Sequence, residues 1–128
     1  MGKNGKGLKI PKGQMEPIVT ALRDIGRNRL AGAFALEVFG VKKVAADELA
    51  IVLDAKDALI KAYAPDGEES IKPDDEGWES FVKAINEMYA DEAALDVKPL
   101  ELKKLEAAEN WQAMPDSLGI LNTWGLLV

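Results

Sequence analysis

A mainly α-helical fold built on one helical hairpin is predicted by three observations. Apolar residues recur every three or four positions from about Leu30 to Ala64, and a second such pattern occupies about residues 75–90. Between them, Ala64-Pro65-Asp66-Gly67 opens an acidic hinge whose proline cannot continue a helix and whose glycine accepts positive φ. The 128 residues, 48% of them hydrophobic, form a single domain spanning 1–128 that is long enough to bury a core without disulfides or a structural metal.

The elements follow in order. Residues 1–7 carry Lys3 and Lys6 among Gly2, Gly5 and Gly7, and read as a flexible basic lead. Leu8 to Ile10 alternate before Pro11 and predict a short strand. Met15, Ile18, Val19, Leu22 and Ile25 then fall on one helical face, with Pro17 confined to the first turn and Gly26 as a stop.

The long helix is predicted over about 30–64, with Phe34, Val38, Val41, Ala45, Leu49 and Val52 on its apolar line. At about 50 Å it is long for a small domain, so a kink or break is expected, if anywhere, at Gly32 or near Gly40. Alanines scattered from Ala31 to Ala62 permit another helix to approach closely, and that helix can belong to a partner chain. Asp74 or Asp75 suits the N-cap of the second helix, whose stripe of Trp78, Phe81, Val82, Ile85 and Met88 must bury against the first.

Residues 95–97 alternate again before Pro99 and are expected to pair with residues 8–10 as a minimal two-stranded ribbon lying on the helices. Short C-terminal helices complete the chain: one carries Leu100, Leu102 and Leu105 and ends near Asn110, and the other starts at Pro115.

Several chemistries are excluded by composition. Neither cysteine nor histidine is present, which removes thiol nucleophiles, zinc fingers and histidine-dependent triads. The hinge is rich in carboxylates, but Ile71 stands where a calcium loop starting at Asp66 needs glycine. Asp74, Asp75 and Glu76 beside Trp78 fit helix capping better than acid–base catalysis. No phosphate-cradling motif occurs, and a net charge of −6 disfavours nonspecific nucleic-acid binding. No catalytic, cofactor-binding or metal-binding residue is therefore assigned, and no enzymatic activity is expected.

A start led by lysines with no apolar run behind it is not a secretory signal, and no apolar segment approaches the roughly 20 residues of a membrane span. The chain reads as a cytoplasmic product with no membrane role. Trp111 and Trp124, with the apolar end Leu126, Leu127 and Val128, either seal the core or present a patch to a partner, and they are the interface candidates.

Taken in order, L-K-I before a helix, D-A-L-I-K-A-Y-A, the hinge P-D-G-E-E-S-I-K-P-D-D-E-G, W-E-S-F-V-K-A-I-N-E-M, A-L-D-V-K-P-L-E-L-K-K-L-E and P-D-S-L-G-I-L make a distinctive sequence pattern. From Leu8 to Leu121 this pattern resembles small uncharacterised proteins encoded in tailed-bacteriophage genomes. The resemblance implies a phage structural or virion-assembly protein that binds itself or other phage structural proteins, in the host cytoplasm or in the virion. The basic lead and the tryptophan-bearing end depart from the pattern. The alternative is an acidic phage-encoded inhibitor that lays Asp66 to Glu76 into a basic groove of a host protein.

Overall fold

Met15, Ile18, Val19, Leu22 and Ile25, spaced for one helical face, are all buried, and they make α1 (Met15–Ile25) the centre of the core. The computed structural model of the chain describes residues 7–108 and 111–128. The basic lead at 1–7 falls almost wholly outside the described residues, as does the expected helix end at Asn110. α1 packs on the long helix α2 (Gly32–Tyr63) and on α5 (Pro115–Thr123). The first half of α2 contributes Phe34, Val38, Val41 and Ala45 to the same core.

α2 continues unbroken through Gly40, and its 32 residues extend about 48 Å at the α-helical rise. A side chain at Gly40 would meet nothing within 4 Å, so no crowding demands a break there. Helix α3 (Trp78–Ala90) returns antiparallel along the second half of α2, giving the predicted hairpin. Only Phe81 and Ile85 of its stripe are buried. The Phe81 ring meets Tyr63 edge-on at 6.5 Å and Trp78 at 5.8 Å, forming a small aromatic cluster at the hairpin tip.

The hinge closes through two turns. Pro65 C=O accepts from Glu68 N–H at 3.0 Å, with Gly67 at φ 83°, and the Asp75 carboxylate accepts from Lys72 N–H at 2.7 Å. Because Asp75 is spent on that turn, it does not cap the helix as expected. The N-cap is Gly77, and α3 starts three residues later than the predicted boundary at 75. Gly77 lies directly under the end of α2, where an added Cβ would stand 2.7 Å from the Tyr63 carbonyl oxygen. Gly77→Ala should therefore cost about 1–3 kcal/mol by overpacking, read as a lowered midpoint of urea unfolding at unchanged slope.

The ribbon pairs β1 (Leu8–Pro11) antiparallel with β2 (Glu92–Leu95), with Leu8 opposite Leu95 and Ile10 opposite Ala93. The second strand thus lies earlier than the expected 95–97. Asp91 is already extended immediately after α3, and a tight turn in which Val97 N–H donates to Leu95 C=O at 3.0 Å ends the strand. Lys12 fixes the register from the other side: its N–H donates to Asp91 C=O at 2.8 Å, and its ammonium reaches the Asp91 carboxylate at 2.8 Å. This register turns Ile10, Ala93 and Leu95 into the core.

The hydrogen bond from Lys12 holds the Asp91 carboxyl below its ordinary value of 3.8, and the same contact raises Lys12 above 10.5. The sign follows directly. The pair contributes above the unfolded carboxyl's pKa, loses that contribution as pH falls through the lowered Asp91 value, and loses it again as pH rises through the raised Lys12 value. Asp91→Asn should flatten a small acid-side decline in stability, measured by urea unfolding across the acid range.

At the C-terminal end, α4 (Leu102–Glu106) is followed by α5, which stops in a Schellman turn. Leu126 N–H donates to Leu121 C=O at 2.8 Å and Gly125 N–H to Asn122 C=O at 3.1 Å, with Gly125 at φ 79°. The last residues then pair in parallel with the segment ahead of α4: Leu100 N–H donates to Leu126 C=O at 2.7 Å and Val128 N–H to Leu100 C=O at 2.8 Å. Lys104 of α4 reaches Glu37 of α2 at 3.0 Å, tying this end to the long helix.

Candidate interaction surface on the long helix

The second face of α2 is also apolar. An amphipathic surface helix keeps one apolar stripe, whereas a helix apolar all round belongs between two partners. Beyond the inward line of Phe34, Val38, Val41, Ala45 and Val52, α2 exposes Leu36 (75%), Phe39 (54%), Ile51 (59%) and Leu53 (42%) to solvent.

Phe39 and Leu53 fall on one outer stripe and Ile51 on another, with Leu36 between the two. Phe39, Ala46, Leu53 and Ile60 recur every seven residues, two turns apart, and line one flank. Val44, Ile51 and Ala58 line the opposite flank with the same spacing. Each end of that second flank borders a shallow groove. One, of about 240 Å³, lies between Leu36, Gly40 and Val44 on α2 and the segment Asp96–Lys98. The other, of about 760 Å³, lies between Ala55, Ala58 and Leu59 on α2 and Ala84, Met88 and Ala90 on α3. Alanines on both helices leave this second groove open, because methyl side chains do not fill the space between the backbones.

Charges run between the stripes. Lys43 stands 3.6 Å from Asp47, a solvent-exposed pair worth little by itself. Lys42 lies 5.7 Å from the Phe39 ring centroid, covering part of its face. Both signs occur in both halves of α2: Glu37, Lys42, Lys43 and Asp47 in the first, and Glu48, Asp54, Lys56, Asp57 and Lys61 in the second.

The tail residues singled out from sequence divide. Leu126 is wholly buried and Leu127 nearly so, and both belong to the main core. Trp111 and Trp124 are half-buried and pack against that core, while Val128 remains exposed at 64%. The Schellman turn accounts for the placement of Leu126, since it brings that residue back onto Leu121. Trp111 is carried in by its neighbour Gln112, whose N–H donates to the Asn28 side chain at 2.6 Å and whose C=O accepts from it at 2.7 Å. Leu126 and Leu127 are therefore occupied within the chain and are not surface residues.

The hinge acids are mostly solvent-facing. Asp66, Glu68, Glu69, Asp74 and Glu76 are exposed, and Asp75 serves the Lys72 turn. Among the described residues, no group of three or more acidic side chains is arranged to hold a metal ion, and no helix is long and apolar enough to cross a membrane.

The outward residues Phe39 and Leu53 are what sequence reasoning overlooked. Their signal was the seven-residue recurrence running beside the inward line of the same helix. The sequence matches no protein-family model, and comparisons with curated proteins and with solved structures return no match.

Proposed function

We propose that this chain is a phage-encoded structural or virion-assembly protein that acts by protein–protein interaction through the outward side of α2, without a chemical step of its own. One observation carries the interaction reading: four large apolar side chains of a single helix, Leu36, Phe39, Ile51 and Leu53, face solvent while the opposite side of that helix fills the core. The phage context comes from the order of segments between Leu8 and Leu121. On this reading the protein works in the host cytoplasm where particles assemble, and it can be retained in the virion. Its partners are further copies of itself, other phage structural proteins, or both.

Sedimentation of infected-cell extracts tests the proposal. The tagged chain is expected to travel with phage particles or their assembly intermediates, and a folded Phe39→Asp, Leu53→Asp variant is expected to remain in the free fraction. Wild-type protein found only free of particles and intermediates would overturn the assembly role.

A further inference from the structure

Ten aspartates occur in the chain, and Asp66 alone is followed by glycine. We propose that Asp66-Gly67 is a site of spontaneous covalent modification, at which the folded protein converts Asp66 to isoaspartate through a cyclic imide. This chemistry is independent of the interaction role of α2 and needs no co-reactant other than water.

Ring closure needs a free backbone nitrogen after the aspartate, a carboxyl not held elsewhere, and room for the peptide plane to rotate. Among the described residues, neither Gly67 N–H nor the Asp66 carboxylate has a hydrogen-bond or ion-pair partner. The turn is closed instead by the next residue, whose N–H donates to Pro65 C=O at 3.0 Å. Residues 66–70 are all exposed, and an added Cβ at Gly67 would meet nothing within 4 Å. Glycine also lacks the side chain that ordinarily hinders attack by its own nitrogen.

Every other aspartate fails one of these requirements. Asp24 lies within α1, and Asp47, Asp54 and Asp57 lie within α2, where the next N–H is spent in the helix. The nitrogens that follow Asp74, Asp96 and Asp116 donate to the carbonyls of Lys72, Leu95 and Met114. The Asp75 carboxylate accepts from Lys72 N–H, and the Asp91 carboxylate pairs with Lys12.

The conversion balances without oxidant or reductant. Gly67 N attacks Asp66 Cγ; the N–Cγ bond forms, and the amide proton leaves with the carboxyl hydroxyl as water. Water then opens the ring. Addition at Cγ restores aspartate, whereas addition at the backbone carbonyl carbon of Asp66 leaves the main chain running through the side chain, as isoaspartate. The product carries an extra main-chain carbon inside the Pro65–Glu68 turn.

Ageing the folded protein beside the urea-unfolded chain tests this, in an Asn4→Ser background because Asn4-Gly5 forms the same imide by losing ammonia. Isoaspartate is counted by methyl transfer from S-adenosylmethionine with an isoaspartate methyltransferase. It is located by the loss of cleavage before residue 66 with an aspartate-specific protease. The folded protein is expected to accumulate it at 66 within about tenfold of the unfolded rate, because an exposed turn gives little protection. Asp66→Ser should remove that signal, and Asp54 and Asp57 should give none while the chain is folded. Isoaspartate at 66 in the unfolded chain only, in neither sample, or equally at Asp54 in the folded one would overturn the assignment.

Discussion

Leu126→Ala is expected to lower the free energy of unfolding by about 2–5 kcal/mol, among the largest effects available from one substitution in this chain. Leu126 is fully buried, its N–H and C=O are both bonded within the chain, and it packs at the junction of α5 with the segment ahead of α4. Removing its side chain leaves a cavity that two short helices and a β-bridge are poorly placed to close. Val128→Ala, two residues on and exposed, should change stability by less than about 0.5 kcal/mol. Urea unfolding of the two variants side by side measures the difference. Wild-type stability in Leu126→Ala would place the tail outside the core and restore it as a surface for partners.

Leu53→Asp is expected to weaken association with particles or assembly intermediates by about 100-fold or more, because it places a carboxylate in the apolar outward surface of α2. Its effect on the folded single chain should be small, about 0.5 kcal/mol from helix propensity, since Leu53 faces solvent there. Sedimentation of infected-cell extracts and urea unfolding of the purified variant separate the two effects. The contrast with Leu126→Ala is the point of the pair: one substitution damages the fold and the other damages only association.

The hairpin was legible because its signals are local. Three-to-four spacing in α2 and α3 and the Pro65-Asp66-Gly67 turn lie within a few residues of one another, and they place both helices to within a few residues. What was not legible depends on distant groups. The start of α3 is set by Gly77 passing under the Tyr63 carbonyl, and the ribbon register by Lys12 holding Asp91. Neither contact leaves a mark in the sequence around the element it fixes.

The candidate surface was half visible. The alanine-rich flank of the long helix pointed to a close partner, but an apolar helix hides its outward stripe: Phe39 and Leu53 look like any other core residues until the inward line is known. The apolar tail left two readings open, sealing the core or presenting a patch, and the positive-φ turn at Gly125 folds Leu126 and Leu127 into the core.

Sedimentation of infected-cell extracts carrying the tagged 128-residue chain, beside the folded Phe39→Asp, Leu53→Asp variant, bears most directly on the role assigned to α2. The expected result is wild-type chain travelling with phage particles or their assembly intermediates and the variant remaining in the free fraction. Wild-type chain found only free of particles and intermediates, or a variant that travels as wild type does, would contradict it.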